Sequence, residues 1–173
     1  MMKRIEYGMP ALTNSTKEIK VKDHTGEEVF TLKKYYNNNF QKFLSILMPG
    51  FVSNVLVKKH GKLVAKSKDI FTLGRPKWDI YDHQHKNDEA IRLQDIRVVR
   101  THPKAKFSIG SDNYKIERVF GSKTTTVIKN GNKIVEMKFD KSLPPRNMEI
   151  HFIEENNYVP LLLCILHTYE LSS

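Results

Sequence analysis

Five side chains of the types that bind metal ions lie within ten residues of one another. They are Asp79, Asp82, His83, His85 and Asp88. Carboxylates and imidazoles are ligands for Zn²⁺ or Mn²⁺, but this spacing matches no established metal-binding motif. Other predicted turns contain the similar pairs Asp23-His24 and Lys59-His60. We therefore interpret the five residues as a polar turn, and we predict neither a metal site nor a cofactor.

The groups that could act as nucleophiles or general acids are poorly placed for catalysis. The single cysteine, Cys164, lies in the apolar run 159–166, where a thiol packs as a small hydrophobic group. The neighbours Glu27 and Glu28 would point to opposite faces of a strand. The motifs HExxH, GxSxG, GxGxxG and the P-loop are absent from the sequence. These features predict a protein that is not an enzyme, and one free cysteine is typical of the reducing cytoplasm.

Basic side chains give the strongest chemical signal in the 173 residues, whose formal net charge is +10. No aspartate or glutamate occurs between Val29 and Lys68, a stretch with eight lysines, and a second acid-free stretch covers 96–111. If these residues share a face, they attract anionic lipid, nucleic acid or a phosphorylated ligand; the alternative is an ordinary solvated strand face. The basic residues that we expect to bind an anion or a lipid headgroup are Lys33, Lys34, Lys58, Lys59, Lys62 and Arg97.

An amphipathic segment lies inside the first acid-free stretch. Phe40, Phe43, Leu44 and Leu47 recur at helical spacing, with asparagines 37–39 to cap the helix and Pro49-Gly50 to stop it. Amphipathic helices usually pack against a core, and we favour that interpretation here. The alternative is an interfacial helix that dips into a headgroup layer, with Phe40, Phe43 and Leu44 as apolar anchors.

Strand–turn–strand units make up most of the remaining sequence. Apolar and polar residues alternate at period two, which places one face on a core and the other in water. Asn130-Gly131 is the strongest hairpin signal. The pattern predicts ten to twelve short antiparallel strands that close or form a sandwich. The predicted strands are 19–23, 28–32, 54–58, 63–66, 78–82, 89–93, 105–109, 114–120, 126–129, 133–139 and 148–153.

The C-terminal segment has a different pattern. Asn156 or Asn157 can cap a helix with Pro160 in its first turn, and residues 161–166 are apolar on every side. Such a helix is buried all round; an inner strand is the alternative. The N-terminus has no apolar core typical of a signal peptide, and no run reaches the length of a spanning helix. We therefore expect a soluble cytoplasmic protein.

Taken together, these features resemble the tubby C-terminal-domain-like superfamily. Within it, the chain is similar to the small LURP-one-related proteins of bacteria and plants and, more distantly, to phospholipid scramblases. The segments that carry the resemblance are 78–93, 105–120, 126–139 and the helix 158–171. The resemblance covers about residues 15–171 of one domain, 1–173, and implies a mainly β fold: a β-barrel of about twelve antiparallel strands that encloses a hydrophobic C-terminal α-helix. In tubby itself it implies binding of phosphoinositide headgroups. One departure is the segment 38–51, which is longer and more apolar than a simple hairpin.

We predict from these observations a non-enzymatic module that binds anionic phospholipid headgroups or a membrane surface, and so a peripheral membrane protein. A nucleic-acid-binding protein is the first alternative, because Tyr35, Tyr36, Phe40 and Phe43 could stack bases on a basic surface. No RRM, cold-shock or helix-turn-helix signature supports that alternative. The second alternative is a protein-interaction scaffold.

Overall fold

A computed structural model describes residues 3–12, 14–48, 52–72, 74–85, 87–97 and 104–172. They form twelve strands and two helices. The elements are β1 (Arg4–Met9), β2 (Ile19–Asp23), β3 (Glu28–Tyr35), α1 (Asn39–Leu47), β4 (Asn54–Lys59), β5 (Lys62–Ile70), β6 (Lys77–Asp82), β7 (Asn87–Asp95), β8 (Lys104–Ile109), β9 (Asp112–Arg118), β10 (Thr124–Lys129), β11 (Asn132–Phe139), β12 (Arg146–Phe152) and α2 (Val159–Ser172).

The twelve strands form one closed antiparallel barrel. Each strand pairs with its neighbours in sequence, and β1 closes the barrel by pairing with β12 from Arg4↔His151 to Met9↔Arg146. Inward side chains alternate with outward ones along each strand, so the barrel has an apolar interior. The predicted barrel of about twelve antiparallel strands is confirmed.

The first strand was missed in the sequence analysis, which placed the start of the fold near residue 15. In β1, Ile5, Tyr7 and Met9 alternate with outward residues and are buried. Three apolar residues next to Gly8 and Pro10 are a weak local signal. The pairing that stabilises β1 is with β12, almost the whole chain away, so the local sequence does not reveal it.

α2 lies inside the barrel. Its residues from Val159 to Leu171 are all buried, so the predicted central helix is confirmed and the alternative of an inner strand is wrong. The Asn156 side chain accepts a hydrogen bond of 2.7 Å from the backbone N–H of Tyr158, just before the helix, and Pro160 lies in the first turn as predicted. Burial raises the pKa of Cys164 to about 12, so this thiol stays protonated in the core.

Among the residues that the structure describes, none of the helices is both long enough and apolar enough to cross a bilayer.

The two ends of the barrel differ in their connections. Because the strands alternate in direction, every loop that follows an odd-numbered strand lies at one end and every turn that follows an even-numbered strand lies at the other. The second end has short turns such as His60-Gly61 and Asn130-Gly131, and we call it the turn end. The first end has longer connections, including α1, and we call it the long-loop end. α2 enters at the turn end and finishes at the long-loop end.

Candidate functional site

The apolar face of α1 points away from the barrel. The exposed fractions of Phe40, Phe43, Ile46 and Leu47 lie between 57% and 63%, and Leu44 is half-buried. The favoured interpretation of a core-facing helix is therefore wrong.

Polar contacts explain this orientation. The buried Ser45 hydroxyl donates to the Tyr36 hydroxyl at 2.8 Å, and the side-chain amide of Asn54 donates to Gln41 Oε1 at 2.9 Å. Asn38 caps the helix as predicted, because its side chain accepts a hydrogen bond of 2.8 Å from the backbone N–H of Gln41. The polar side of α1 is thus bonded to the ends of β3 and β4, which leaves the apolar side in solvent.

A basic cavity of about 440 Å³, which we call the Lys34 cavity, lies between β3 and the start of α1. Lys34 is only 3% exposed, and its Nζ lies 5.6 Å from the centroid of the Tyr36 ring. Burial lowers the pKa of Lys34 to about 8, although the Asp69 carboxylate opposes this shift. None of the described residues that line the cavity is acidic. The lining residues are Thr16, Lys33, Lys34, Tyr35, Tyr36, Asn37, Asn38, Asn39 and Lys42.

A larger groove of about 670 Å³ runs beside β1, β2 and β12. Its lining combines Lys20, Lys22 and Lys138 with three carboxylates, from Glu6, Asp140 and Glu149. The opposite charges offset one another, so this groove has no net attraction for an anion comparable with that of the Lys34 cavity.

The predicted basic residues do not form one patch. Lys33 is exposed on the outer surface of β3. Lys58 lies on the outer surface of β4, opposite Thr31, which is two residues before Lys33 on β3. Lys59 and Lys62 flank the His60-Gly61 turn at the turn end. The acid-free stretch passes along three strands from one end of the barrel to the other, so its lysines are divided between the two ends.

Arg97 has a structural role that accounts for its charge. It forms an ion pair with the buried Asp95, and its guanidinium donates to the backbone carbonyl of Ser172 at 3.3 Å. This contact ties the segment after β7 to the last turn of α2. We therefore remove Arg97 from the candidate site.

The cavity also contains residues that the sequence analysis did not select. Thr16 lies before β2, and Lys42 lies on α1. Lys42 falls inside the acid-free stretch, so the charge pattern could have identified it. Thr16 gives no such signal, because it lies beside the start of α1 only through the pairing of β2 with β3, in which Ile19 is opposite Leu32.

The residues considered for metal binding have other partners. Asp79 Oδ1 accepts from Arg92 Nε at 2.7 Å, and Asp82 accepts the backbone N–H groups of Gln84 and His85. His85 Nδ1 also lies 2.7 Å from Asp82 Oδ2. No cluster of three or more potential metal ligands is found among the described residues, and the side chain of Asp88 lies outside them.

Two of the four aromatic residues considered for base stacking are engaged elsewhere. The Tyr35 hydroxyl donates to the Ser67 carbonyl, and the Tyr36 hydroxyl donates to the Asn14 carbonyl, each at 2.9 Å. Both tyrosines are half-buried. Phe40 and Phe43 remain as the exposed aromatic side chains of the set.

Comparison with known families agrees with this barrel and its central helix. The family model described as Tubby C-terminal like domain matches residues 5–173, from β1 through α2. The chain belongs to this family. The match includes β1, and it does not distinguish the LURP-one-related subtype, which stays a prediction. Searches of curated proteins and of solved structures found no match. Tubby-like domains are known to bind phosphoinositides, membranes and DNA, and they are generally non-enzymatic.

Proposed function

We propose that this tubby-like domain is a non-enzymatic, cytoplasmic module that binds anionic phospholipid headgroups at a membrane surface. The observation that carries the proposal is the Lys34 cavity, which has three lysines, no acidic lining residue and the exposed apolar face of α1 beside it. A headgroup phosphate needs hydrogen-bond donors and positive charge. The acyl chains next to it favour apolar side chains, so a lipid supplies both kinds of contact.

The cavity lysines give the domain a salt-sensitive attraction to an anionic surface. Each lysine close to an anionic bilayer contributes about 1 kcal/mol, and salt screens this attraction over a Debye length of about 10 Å. Lys33 and Lys42 are exposed and line the same cavity as Lys34. Lys34 is buried, so it contributes positive charge from the wall of the cavity, and the exposed Lys33 and Lys42 are the lysines that contact a phosphate.

The first test is co-sedimentation with vesicles of phosphatidylcholine, with and without phosphatidylserine, at about 50 and 300 mM salt, which bracket weak and strong screening. We expect binding to the anionic vesicles that weakens at the higher salt concentration. The same binding to both vesicle types, or no binding to either, would contradict the proposal.

A pair of double variants locates the site. The change Lys33→Gln with Lys42→Gln removes two charges from the cavity, and we expect the affinity to fall by about 30-fold, from two losses of about 1 kcal/mol each. The matched control, Lys59→Gln with Lys62→Gln, removes the same charge from the turn end and should have a much smaller effect. Equal losses from the two variants would show that net charge alone drives binding.

A gel shift with single-stranded DNA tests the nucleic-acid alternative. Steeply salt-dependent binding that competes with vesicles would favour that alternative. The structure reduces its support, because Tyr35 and Tyr36 are half-buried and the ammonium groups of Lys66 and Lys34 lie over their rings.

A further inference from the structure

Exposed apolar side chains are concentrated at one end of the barrel. Twelve large apolar side chains among the described residues are more than a third exposed, and only Leu63 and Ile153 of these lie at the turn end. The other ten belong to the long-loop end, and their exposed fractions range from 52% to 77%. We call these ten residues the apolar rim. They are Leu12, Phe40, Phe43, Ile46, Leu47, Met48, Phe71, Val119, Phe120 and Leu143.

The apolar rim comes from five separate connections around the barrel. Leu12 follows β1, the α1 residues follow β3, Phe71 follows β5, Val119 and Phe120 follow β9, and Leu143 follows β11. The β3–β4 and β9–β10 connections are six strands apart in a ring of twelve, on opposite sides. Twelve strands about 4.8 Å apart, tilted by about 40°, give a barrel roughly 24 Å across. A flat partner can contact all five connections together, whereas a peptide in a groove cannot.

The charges at this end favour a lipid surface over a neutral apolar partner. The described connections at the long-loop end contain exposed basic residues, among them Lys17, Lys42, Arg75 and Lys141. The exposed acidic residues in these connections are Glu18 and Asp140. Apolar tips flanked by basic side chains match the order of layers in an anionic membrane, where negative headgroups cover the hydrocarbon.

We infer that the domain docks on an anionic bilayer through its long-loop end, with the barrel axis upright and the apolar rim inserted into the acyl layer. This inference rests on the proposed function and adds the orientation and the inserting residues. The turn end then faces the aqueous phase. The Lys34 cavity opens at the inserted end, where headgroup phosphates lie.

Tryptophan reporters test the orientation in the full chain. The native Trp78 is 1% exposed, and its quenching in the unsubstituted chain is measured in parallel and subtracted as the background. Leu143→Trp places a reporter on the apolar rim, and Leu63→Trp places the matched reporter at the turn end. The vesicles contain phosphatidylserine and phosphatidylcholine with brominated acyl chains, which quench an inserted indole. We expect quenching of the Leu143→Trp reporter and none of the Leu63→Trp reporter.

A second comparison measures the contribution of the apolar rim to affinity. The change Val119→Ser with Leu143→Ser lies away from α1 and the cavity, and we expect it to weaken vesicle binding at least about tenfold through lost apolar burial. Its control, Leu63→Ser with Ile153→Ser, should leave binding within about twofold, a difference below 1 kcal/mol. Thermal unfolding of each variant verifies that the barrel is intact.

The outcomes separate this inference from the proposed function. If the protein sediments with anionic vesicles but the Leu143→Trp reporter is not quenched, or the Leu63→Trp reporter is, the orientation is wrong and the proposed function stands. If it does not bind anionic vesicles at all, both are wrong. If the rim substitutions instead dissociate a dimer without changing vesicle binding, the apolar rim is a contact between copies of the chain.

Discussion

At the scale of single residues, the polar side chains in the second half of α2 are the least expected feature. Residues 161–166 predicted a uniformly apolar helix, but the next turn buries His167, Thr168 and Glu170. Each of these has a partner on the barrel wall. His167 Nδ1 lies 3.2 Å from the Tyr7 hydroxyl, and the Thr168 hydroxyl donates to Ser67 Oγ at 2.8 Å. The partners of His167 and Thr168 are more than 100 positions away, and those of Glu170 are 24 to 52 positions away on other strands, so local sequence patterns do not reveal the pairs.

Among these buried polar residues, we expect substitution of Glu170 to destabilise the protein most. It forms ion pairs with Arg118 and Arg146, and the Arg146 Nη2–Glu170 Oε2 distance is 2.7 Å. Glu170→Gln leaves two largely buried guanidinium groups without their counter-charge, which costs about 3–5 kcal/mol. Urea unfolding measures the change. The control Glu154→Gln, at an exposed position, should stay within about 0.5 kcal/mol, and a loss from Glu170→Gln as small as that would contradict the structure.

His167 makes stability depend on pH. Burial, together with the nearby Lys34 and Arg146 charges, lowers the pKa of His167 to about 3, whereas the unfolded value is about 6.5. Between these values the unfolded chain binds the extra proton, so this group's stabilisation is complete above about pH 6.5 and is lost as the pH falls. From pH 7 to 5 the loss is about 2 kcal/mol.

The variant His167→Gln tests this linkage by urea unfolding at the two pH values. Between pH 7 and 5, we expect the free energy of unfolding of the variant to fall by about 2 kcal/mol less than that of the native chain. Asp69 has the opposite effect in part of the same range, because burial raises its pKa to about 6, but it is present in both proteins and cancels. Identical pH dependence in the two proteins would contradict a buried neutral His167.

At the scale of elements, the sequence predicted which segments form helices and strands better than it predicted what they face. Period-two alternation located eleven of the twelve strands, since each inward side chain packs on the same core. The two helices show the limit. Both contain closely spaced leucines, yet α2 is buried on all sides and α1 exposes its apolar face. The orientation of α1 is set by the hydrogen bonds of Gln41 and Ser45 to residues at the ends of β3 and β4. The spacing of apolar residues along a helix gives no information about such partners.

The same substitution in the two helices measures this difference. Leu162 in α2 is fully buried, and Leu47 in α1 is 62% exposed. We expect Leu162→Ala to lower the free energy of unfolding by about 2–5 kcal/mol, because it leaves a cavity in the core. Leu47→Ala should change it by less than about 0.5 kcal/mol. If the two variants were equally destabilised in urea, α1 would have to pack against the barrel.

At the scale of the whole molecule, the sequence predicted the fold, but it predicted only part of the candidate site. The acid-free stretch includes Lys33 and Lys34, which line the Lys34 cavity, but it also includes Lys59 and Lys62 at the far end of the barrel. Basic residues that are close in sequence share a surface only where the strands bring them together. The acid-free stretch runs along the three antiparallel strands β3, β4 and β5, so its lysines reach both ends of the barrel. The apolar rim was missed for the same reason, since its residues are isolated in sequence and meet only when the barrel closes.

The position of α2 in the chain has a consequence for synthesis. All twelve strands leave the ribosome before the helix that fills their interior does. During that interval the inward faces of the strands have nothing to enclose, and exposed apolar strand faces of this kind favour aggregation. We therefore expect the nascent barrel to need protection from aggregation until the helix has been synthesised and the core is complete.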